Sequence, residues 1–381
     1  MELTQRTFTK GGWDQPLPQN LDSDRTLVLV FGATSFLDDP AALGQIADAM
    51  PRSHRVGCST SGEIEGTRVR DESLSVAIAK FARTEIGTAS VDVTPETSFA
   101  AGAAVAKKLA ARPGLKAVLL LSDGLAVNGT ALAEGVSSVL PPSVVVSGGL
   151  AGDGDRFKRT WVLEGSVPRQ GRLSAVGLYG DDVIVGHGSS GGWDKFGPER
   201  TVTAAMGNVL HSLDGRSALE LYKEYLGDRA SGLPATGLLF PLAIRSKDHD
   251  KVLVRTVLAV DEAAGTLTFA GDIPVGCRAQ LMKANFDRLI SAASDAAAMT
   301  RQTTSAPTDG PVLSLAISCV GRRLVLAERT EEELEATADQ LAPGSVQVGF
   351  YSYGELSPYG TDGRCDLHNQ TMTLTVLGER A

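Results

Sequence analysis

Leu27 to Phe31 is an unbroken apolar run of strand length, followed by Asp39-Pro40, a good N-cap and first-turn pair for a helix. Leu43, Ile46, Ala47 and Met50 fall on one helical face, Pro51 stops the helix, and a second short strand ends at Val56. Residues 1–24 are polar and broken by Gly11, Gly12, Pro16 and Pro18, and they read as an irregular lead-in.

The same order recurs further along: strand Ala117 to Leu121, a helix through Leu132 and Val136, Pro141-Pro142, then strand Val144 to Val146. Each copy ends in a small-residue turn, Gly57-Cys58-Ser59-Thr60-Ser61-Gly62 in the first and Ser147-Gly148-Gly149-Leu150-Ala151-Gly152 in the second. Alternating strands follow both turns, with Leu74 to Ile78 aligning to Leu173 to Gly177 and Ile86 to Ser90 to Val185 to Ser189. Residues 25–213 therefore read as an N-terminal domain containing a duplicated unit of β-α-β plus antiparallel strands.

Residues 214–381 have a different character and read as a mixed α/β C-terminal domain. Ser217 and Glu220 form a capping box ahead of an apolar helix that Gly227 closes. Val252 to Val260 and Thr266 to Phe269 read as a hairpin, and Leu281, Met282, Phe286, Leu289 and Ile290 as one side of a long helix running into the polar loop Arg301 to Gly310. Strands follow at Val312 to Val320 and Leu324 to Ala327, then a helix opened by a capping box of Thr330 and Glu333, then strands Val346 to Tyr351 and Thr371 to Leu377. The fold class is α/β with two domains.

In the 381 residues the apolar share of 43% with 21% charged residues is that of a globular chain. A net charge of −9 with no basic run argues against a nucleic-acid partner; Arg322-Arg323 reads as a solvated turn. No apolar run reaches membrane-spanning length and the start lacks a signal-peptide core, so the expected location is cytoplasmic with no membrane contact. The four cysteines, Cys58, Cys277, Cys319 and Cys365, lie far apart and are expected to be free thiols.

The richest set of functional side chains is the segment Gly349 to Pro358 with Tyr353 and Glu355, followed by Cys365-Asp-Leu-His368-Asn369-Gln370-Thr371-Met372. Individually these residues can be satisfied by local backbone; as a group they suggest a site. The turn Cys58-Ser59-Thr60-Ser61-Gly62-Glu63 offers amides and hydroxyls for a carboxylate or amide, or equally for its own backbone. Cys58 has no neighbouring cation to make it a nucleophile. Cys365-x-x-His368 supplies two ligands where a structural zinc takes four, whereas one histidine suffices for haem iron. His368 is the first candidate for that role and His187 the second; His54, His211 and His249 read as surface residues.

Gly57-Cys-Ser-Thr-Ser-Gly-Glu-Ile64, Leu221-Tyr-Lys-Glu-Tyr-Leu226, Ser318-Cys-Val-Gly-Arg322, Gly349-Phe-Tyr-Ser-Tyr-Gly-Glu355 and His368-Asn-Gln-Thr-Met372 resemble, in order, the signatures of the FIST family. The resemblance covers roughly residues 25 to 378. It implies a small-ligand receptor, with amino acids proposed as ligands and a haem-binding subset that senses nitric oxide and controls a histidine kinase or a cyclic-di-GMP enzyme. This chain shows no kinase or cyclase sequence of its own, so its signal would pass to a separate partner.

The expected site is an inter-domain cleft where Cys58, Ser59, Thr60, Gly62 and Glu63 meet Tyr353, Glu355, Asn369 and Gln370, with His368 on the iron if haem is bound. Two other readings stand beside the sensor: an enzyme using Glu355, Cys365 and His368 as acid, base or nucleophile, and an interaction module with an exposed apolar patch.

Overall fold

A computed structural model describes residues 1–245, 252–304, 310–358 and 363–380; His249 and part of the Arg301 to Gly310 loop lie outside them. The α/β fold is present, and the internal repeat continues into the C-terminal part. Three parallel strand pairs, each joined by helix, form the centres of three sheets: Thr26–Gly32 with His54–Ser59, Leu115–Ser122 with Val145–Leu150, and Leu313–Cys319 with Val346–Ser352. In each sheet an antiparallel strand flanks the first member of the pair, Leu74–Lys80, Arg172–Tyr179 and Met372–Glu379 respectively. Each of these takes a further strand in turn: Glu2–Thr9, itself flanked by the short edge strand Gly12–Trp13, and the edge strands Glu85–Asp92 and Val183–Ser190.

Residues 1–24 are thus not an irregular lead-in. Glu2–Thr9 runs antiparallel to Leu74–Lys80 over its whole length, from Glu2 opposite Lys80 to Phe8 opposite Leu74. It is mostly polar and only partly buried, as a strand near the sheet's margin can be, and composition alone does not separate that from a loop.

The apolar runs are unbroken because both faces of each sheet are covered. Leu27, Leu29 and Phe31 point into a central core together with Leu119 and Leu121 of the second sheet and Leu313, Leu315 and Ile317 of the third; Phe31 stacks on Phe350 there at 4.8 Å. Val28 and Val30, between them, face outward onto Leu43 and Ile46 of helix Ala41–Ala49. Val118 and Leu120 do the same against Leu132 and Val136 of helix Gly129–Ser137.

Each repeat gives its hairpin away. Glu63–Glu65, from the first repeat, pairs with Val346–Ser352 of the third; Val162–Glu164, from the second, pairs with His54–Ser59 of the first; Gly354–Pro358, from the third, pairs with Val145–Leu150 of the second. Where the exchange turns, a ring of main-chain bonds closes: Ser61 N donates to Tyr351 O (2.8 Å), Gly152 N to Ser59 O (3.0 Å) and Tyr353 N to Leu150 O (3.1 Å). Gly57, Gly148 and Gly349 hold equivalent places, and at each a Cβ would strike the carbonyl oxygen of the partner strand, at Val30, Leu120 and Ala316.

Residues 194–283 form a further unit, inserted between edge strand Val183–Ser190 and helix Phe286–Thr303. It is an antiparallel sheet with helix Ala218–Leu226 laid on it, over a core of its own that includes Val202, Leu210, Tyr222, Phe240 and Phe269. Ser217 Oγ accepts from Glu220 N (3.3 Å), as the capping box predicts, and Val257–Asp261 pairs with Thr266–Phe269 as the predicted hairpin. Val252–Arg255, expected in that hairpin, pairs instead with Leu242–Arg245.

Three other expectations fail. Leu281 and Met282 belong to strand Arg278–Lys283, and the long helix starts only at Phe286, where Asn285 caps it. Leu324 to Leu326 ends helix Val320–Leu326 rather than forming a strand. Thr330 and Glu333 make no capping box, because Glu333 turns inward to Arg322 (2.7 Å), with both side chains fully buried. Arg322 is therefore no solvated turn residue: it also donates to Gly191 O (2.6 Å) and Leu289 O (2.8 Å), while Ser318 and Tyr351 hydroxyls donate to Glu333 at 2.9 and 2.7 Å.

Candidate functional site

The structure separates the residues expected to form one site. Cys58 lies in the central core, where burial pushes its thiol pKa up. Ser59 Oγ accepts from Trp161 N at 2.9 Å, and Ser61 N is spent in the main-chain ring. Gly62, at φ +133°, packs against the Arg323 guanidinium. The turn meets Tyr351 rather than the His368 segment, and it is closed by its own bonds, so the expected ligand cradle is a structural hub.

Glu63 and Glu355 are equivalent residues at two of the hairpin exchanges. Glu63 sits opposite Phe350 and Glu355 opposite Gly149, each the residue after the repeat's glycine. Glu63 accepts from the Thr60 hydroxyl and from Ser73 N (3.1 Å) and Oγ (2.8 Å); Glu355 accepts from Ser352 Oγ (2.7 Å) and from Thr371 N (3.2 Å) and Oγ1 (2.9 Å). Both are fully buried, and burial pushes both up to about 8. They fasten hairpins to strands and have no free face for a ligand.

Asn369 and Gln370 are also buried. Among the described residues neither end of the Asn369 amide finds a partner, nor does Gln370 Oε1; Gln370 Nε2 makes one long bond to Leu238 O (3.4 Å). They stand where the core meets the inserted unit. His368 is buried, with Nε2 3.1 Å from Ser357 O.

Of the expected ligand contacts, Tyr353 lines a large cleft. This cleft, ≈ 370 Å³, opens between core and inserted unit, at the carboxyl ends of strands Leu115–Ser122 and Val145–Leu150. That is where open α/β sheets place ligands. On the core side, Asp123 folds the loop after its strand by accepting from Leu125 N and Ala126 N, both 2.8 Å, and Asn128 caps the next helix by accepting from Ala131 N at 3.0 Å. On the other side stand Asn208, Leu258, Phe269 and Asp272. Asn128 Nδ2 reaches across to Asp272 Oδ1 at 3.5 Å.

The aromatic wall comes from residues 151–161, a loop longer than its counterparts in the other repeats. Asp153 gathers it by accepting from the amides of Phe157 (2.9 Å), Lys158 (2.8 Å) and Arg159 (3.0 Å) and from the Tyr353 hydroxyl. Burial pushes Asp153 up, but these donors outweigh it and hold the carboxyl below its usual range. Phe157, at φ +50°, stacks on Tyr353 with ring centres 4.4 Å apart and stays half-exposed at the mouth beside Leu125 and Leu258. Strained backbone holding an exposed aromatic ring over a cleft is a common mark of a functional loop. Behind the cleft the buried Arg255 of the inserted unit donates to Leu367 O of the core (3.1 Å) and to Asp272 O (3.3 Å), tying the two together.

A second cavity, ≈ 390 Å³, lies on another face of the same junction and brings His187 and His368 together with Met299, Thr303 and Val254. Thr303 Oγ1 pins the His187 main chain from both sides, accepting from its N (2.8 Å) and donating to its O (2.7 Å). Burial lowers the pKa of the His187 ring, which favours the neutral form that binds metals. Among the described residues no group of three or more His, Cys, Asp or Glu is placed to hold a metal ion, and no helix is long and apolar enough to cross a membrane.

Phe157, Asn128 and Asp272 escaped the sequence reading. The one available signal was Asp153-Gly154-Asp155 directly after the second small-residue turn, where the first copy runs straight into its next strand.

The fold and the junction define an α/β protein of two domains with a ligand-sized cleft. Residues 26–216 match the model of the FIST N domain and residues 218–358 that of the FIST C domain, and the chain belongs to the FIST family. FIST domains are associated with small-ligand sensing. The division between the two matches falls inside the inserted unit, just before helix Ala218–Leu226. A search of curated proteins returns no match.

Proposed function

We propose that this chain is a sensor that binds a small ligand in the Tyr353–Phe157 cleft and reports occupancy through the position of the inserted unit on the core. The observation that carries this is the cleft's construction: each wall belongs to a different unit, and the Asn128–Asp272 contact that bridges them is long. A ligand touching both walls stabilises the closed arrangement by its differential contacts. A separate partner, a histidine kinase or a cyclic-di-GMP enzyme in the cytoplasm as the family resemblance implies, would read that arrangement.

Haem is the second reading, and it belongs to the other cavity. There His187 rather than His368 is the better iron ligand, since His368 Nε2 already faces Ser357 O. Bound haem would supply a site for nitric oxide. The cavity wall carries Ser189, Gln302, Thr303 and Thr371, more polar than a porphyrin face favours, which places this reading behind the first. The enzyme reading is weaker still, because the Glu355 carboxylate is occupied by Ser352 and Thr371 and holds hairpin to strand.

The test is a thermal-shift screen of small metabolites on the purified chain and on Leu258→Trp, which places a large side chain in the mouth at a half-exposed position. A ligand should raise the melting temperature of the native chain and lose at least tenfold in affinity for the variant. Binding that the tryptophan leaves untouched rejects the cleft, and a Soret band in the untreated protein would bring the second reading forward.

A further inference from the structure

We infer that the ligand of this cleft is an organic cation, an ammonium group on an apolar or planar body with no carboxylate; the inference rests on the cleft being the ligand site. Of the side chains lining the cleft, Asp272 is the one that carries a charge, and neither Lys, Arg nor His is among them. A carboxylate or phosphate entering would lose its hydration without meeting a positively charged side chain, an unfavourable exchange for a desolvated ion. An ammonium group would meet the Asp272 carboxylate, and the Asn208 side-chain oxygen lies on the same wall, its amide nitrogen already bonded to Phe269 O at 2.8 Å.

The aromatic pair adds to this preference. Tyr353 and Phe157 stack at an interplanar angle of 10°, so one face of each ring is used up and Phe157, half-exposed, offers its other face to the cleft mouth. Cations bind such faces through the ring quadrupole, and anions are repelled by them.

No positive side chain lines the cleft, and several of those near it are engaged elsewhere. The helix beginning at Gly129 has its N-terminus capped by Asn128, whose own amide donates to Ser98 Oγ at 2.9 Å. Arg255 lies behind Gly271 and directs its donors to main-chain carbonyls of Val254, Leu367 and Asp272. On the aromatic loop Arg159 pairs with Asp38, Arg156 leans toward Thr34, and Lys158 is exposed. The cleft therefore favours an amine over a zwitterionic amino acid, whose carboxylate meets no positively charged side chain among the residues lining it.

The experiment is calorimetric titration of the full chain with four compounds of one shape: 2-phenylethylamine, 2-phenylethanol, 3-phenylpropanoate and phenylalanine. The amine should bind at least tenfold more tightly than each of the others. Asp272→Asn, a half-buried position whose change leaves the fold's core alone, should weaken the amine tenfold while moving the alcohol less than twofold. Equal or tighter binding of the anion or the zwitterion, or an amine affinity indifferent to Asp272→Asn, overturns the cation assignment and leaves the cleft as a site. Silence of all four at millimolar concentration overturns both.

Discussion

The first and third repeats end their central strands in one way and the second in another. In the first, Ser59 to Glu63 turns straight into the exchanged hairpin, and in the third Ser352 to Glu355 does the same; each turn is locked by a buried glutamate. In the second, Val162 occupies the glutamate's place opposite Cys58, and residues 151–161 loop out before reaching it. Two ends of the core are sealed by their own side chains. The end that gave up its carboxylate carries the aromatic wall of the cleft. Within one repeated architecture, departure from the repeat marks the functional position more clearly than any single residue type does.

The contrast is open to test. The largest effect belongs to Trp161, fully buried, with Nε1 donating to Ala33 O at 3.1 Å, which anchors the returning end of the long loop in place of the missing glutamate. Trp161→Ala should cost about 3–5 kcal/mol in urea unfolding. A loss under 1 kcal/mol would mean the loop has no anchor and the second exchange is loose.

The two glutamates should announce themselves through pH. Burial raises both from an ordinary 4.5 to about 8, so between those values the folded chain holds protons that the unfolded chain has released. Their contribution to stability is fully present below pH 4.5, falls as pH rises, and is gone above about 8. Glu63→Gln and Glu355→Gln together should flatten that decline in the urea midpoint measured from pH 5 to 9; an unchanged slope refutes the assignment. The second repeat, with Val162, has no part in it.

The smallest change in stability is expected for Phe157→Gly. Glycine accepts φ +50° freely, so the variant should lie within about 1 kcal/mol of the native chain. The same variant should lose at least fivefold in ligand affinity by calorimetry. Intact binding would separate the aromatic wall from function.

Sequence reading reached the repeated β-α-β units because apolar runs buried on both faces and their proline stops are local signals. It stopped at two copies because the third is interrupted by residues 194–283, which push edge strand Val183–Ser190 far from Leu313–Cys319 in sequence while leaving them in one sheet. The glutamates of the first and third repeats were visible as chemistry but not as equivalents; their burial depends on a strand from another repeat. Arg322 and Glu333 were hidden for a related reason: eleven residues apart and on separate helices, they are joined by burial, which neither helical spacing nor charge pattern reports. The cleft was legible only in Tyr353, since Asn128, Phe157 and Asp272 converge from three distant segments.

The exchange of hairpins also sets the order in which the molecule can be completed as the chain is made. The first sheet closes once residues 162–169 have emerged, but the second must wait for Gly354–Pro358 and Cys365–His368, far downstream of its other strands. Meanwhile the hairpin of residues 63–70 stands without its sheet until Val346–Ser352 arrives. Until those downstream strands arrive the nascent chain exposes unpaired strand edges, the condition that invites wrong pairing and slows a fold dominated by distant contacts.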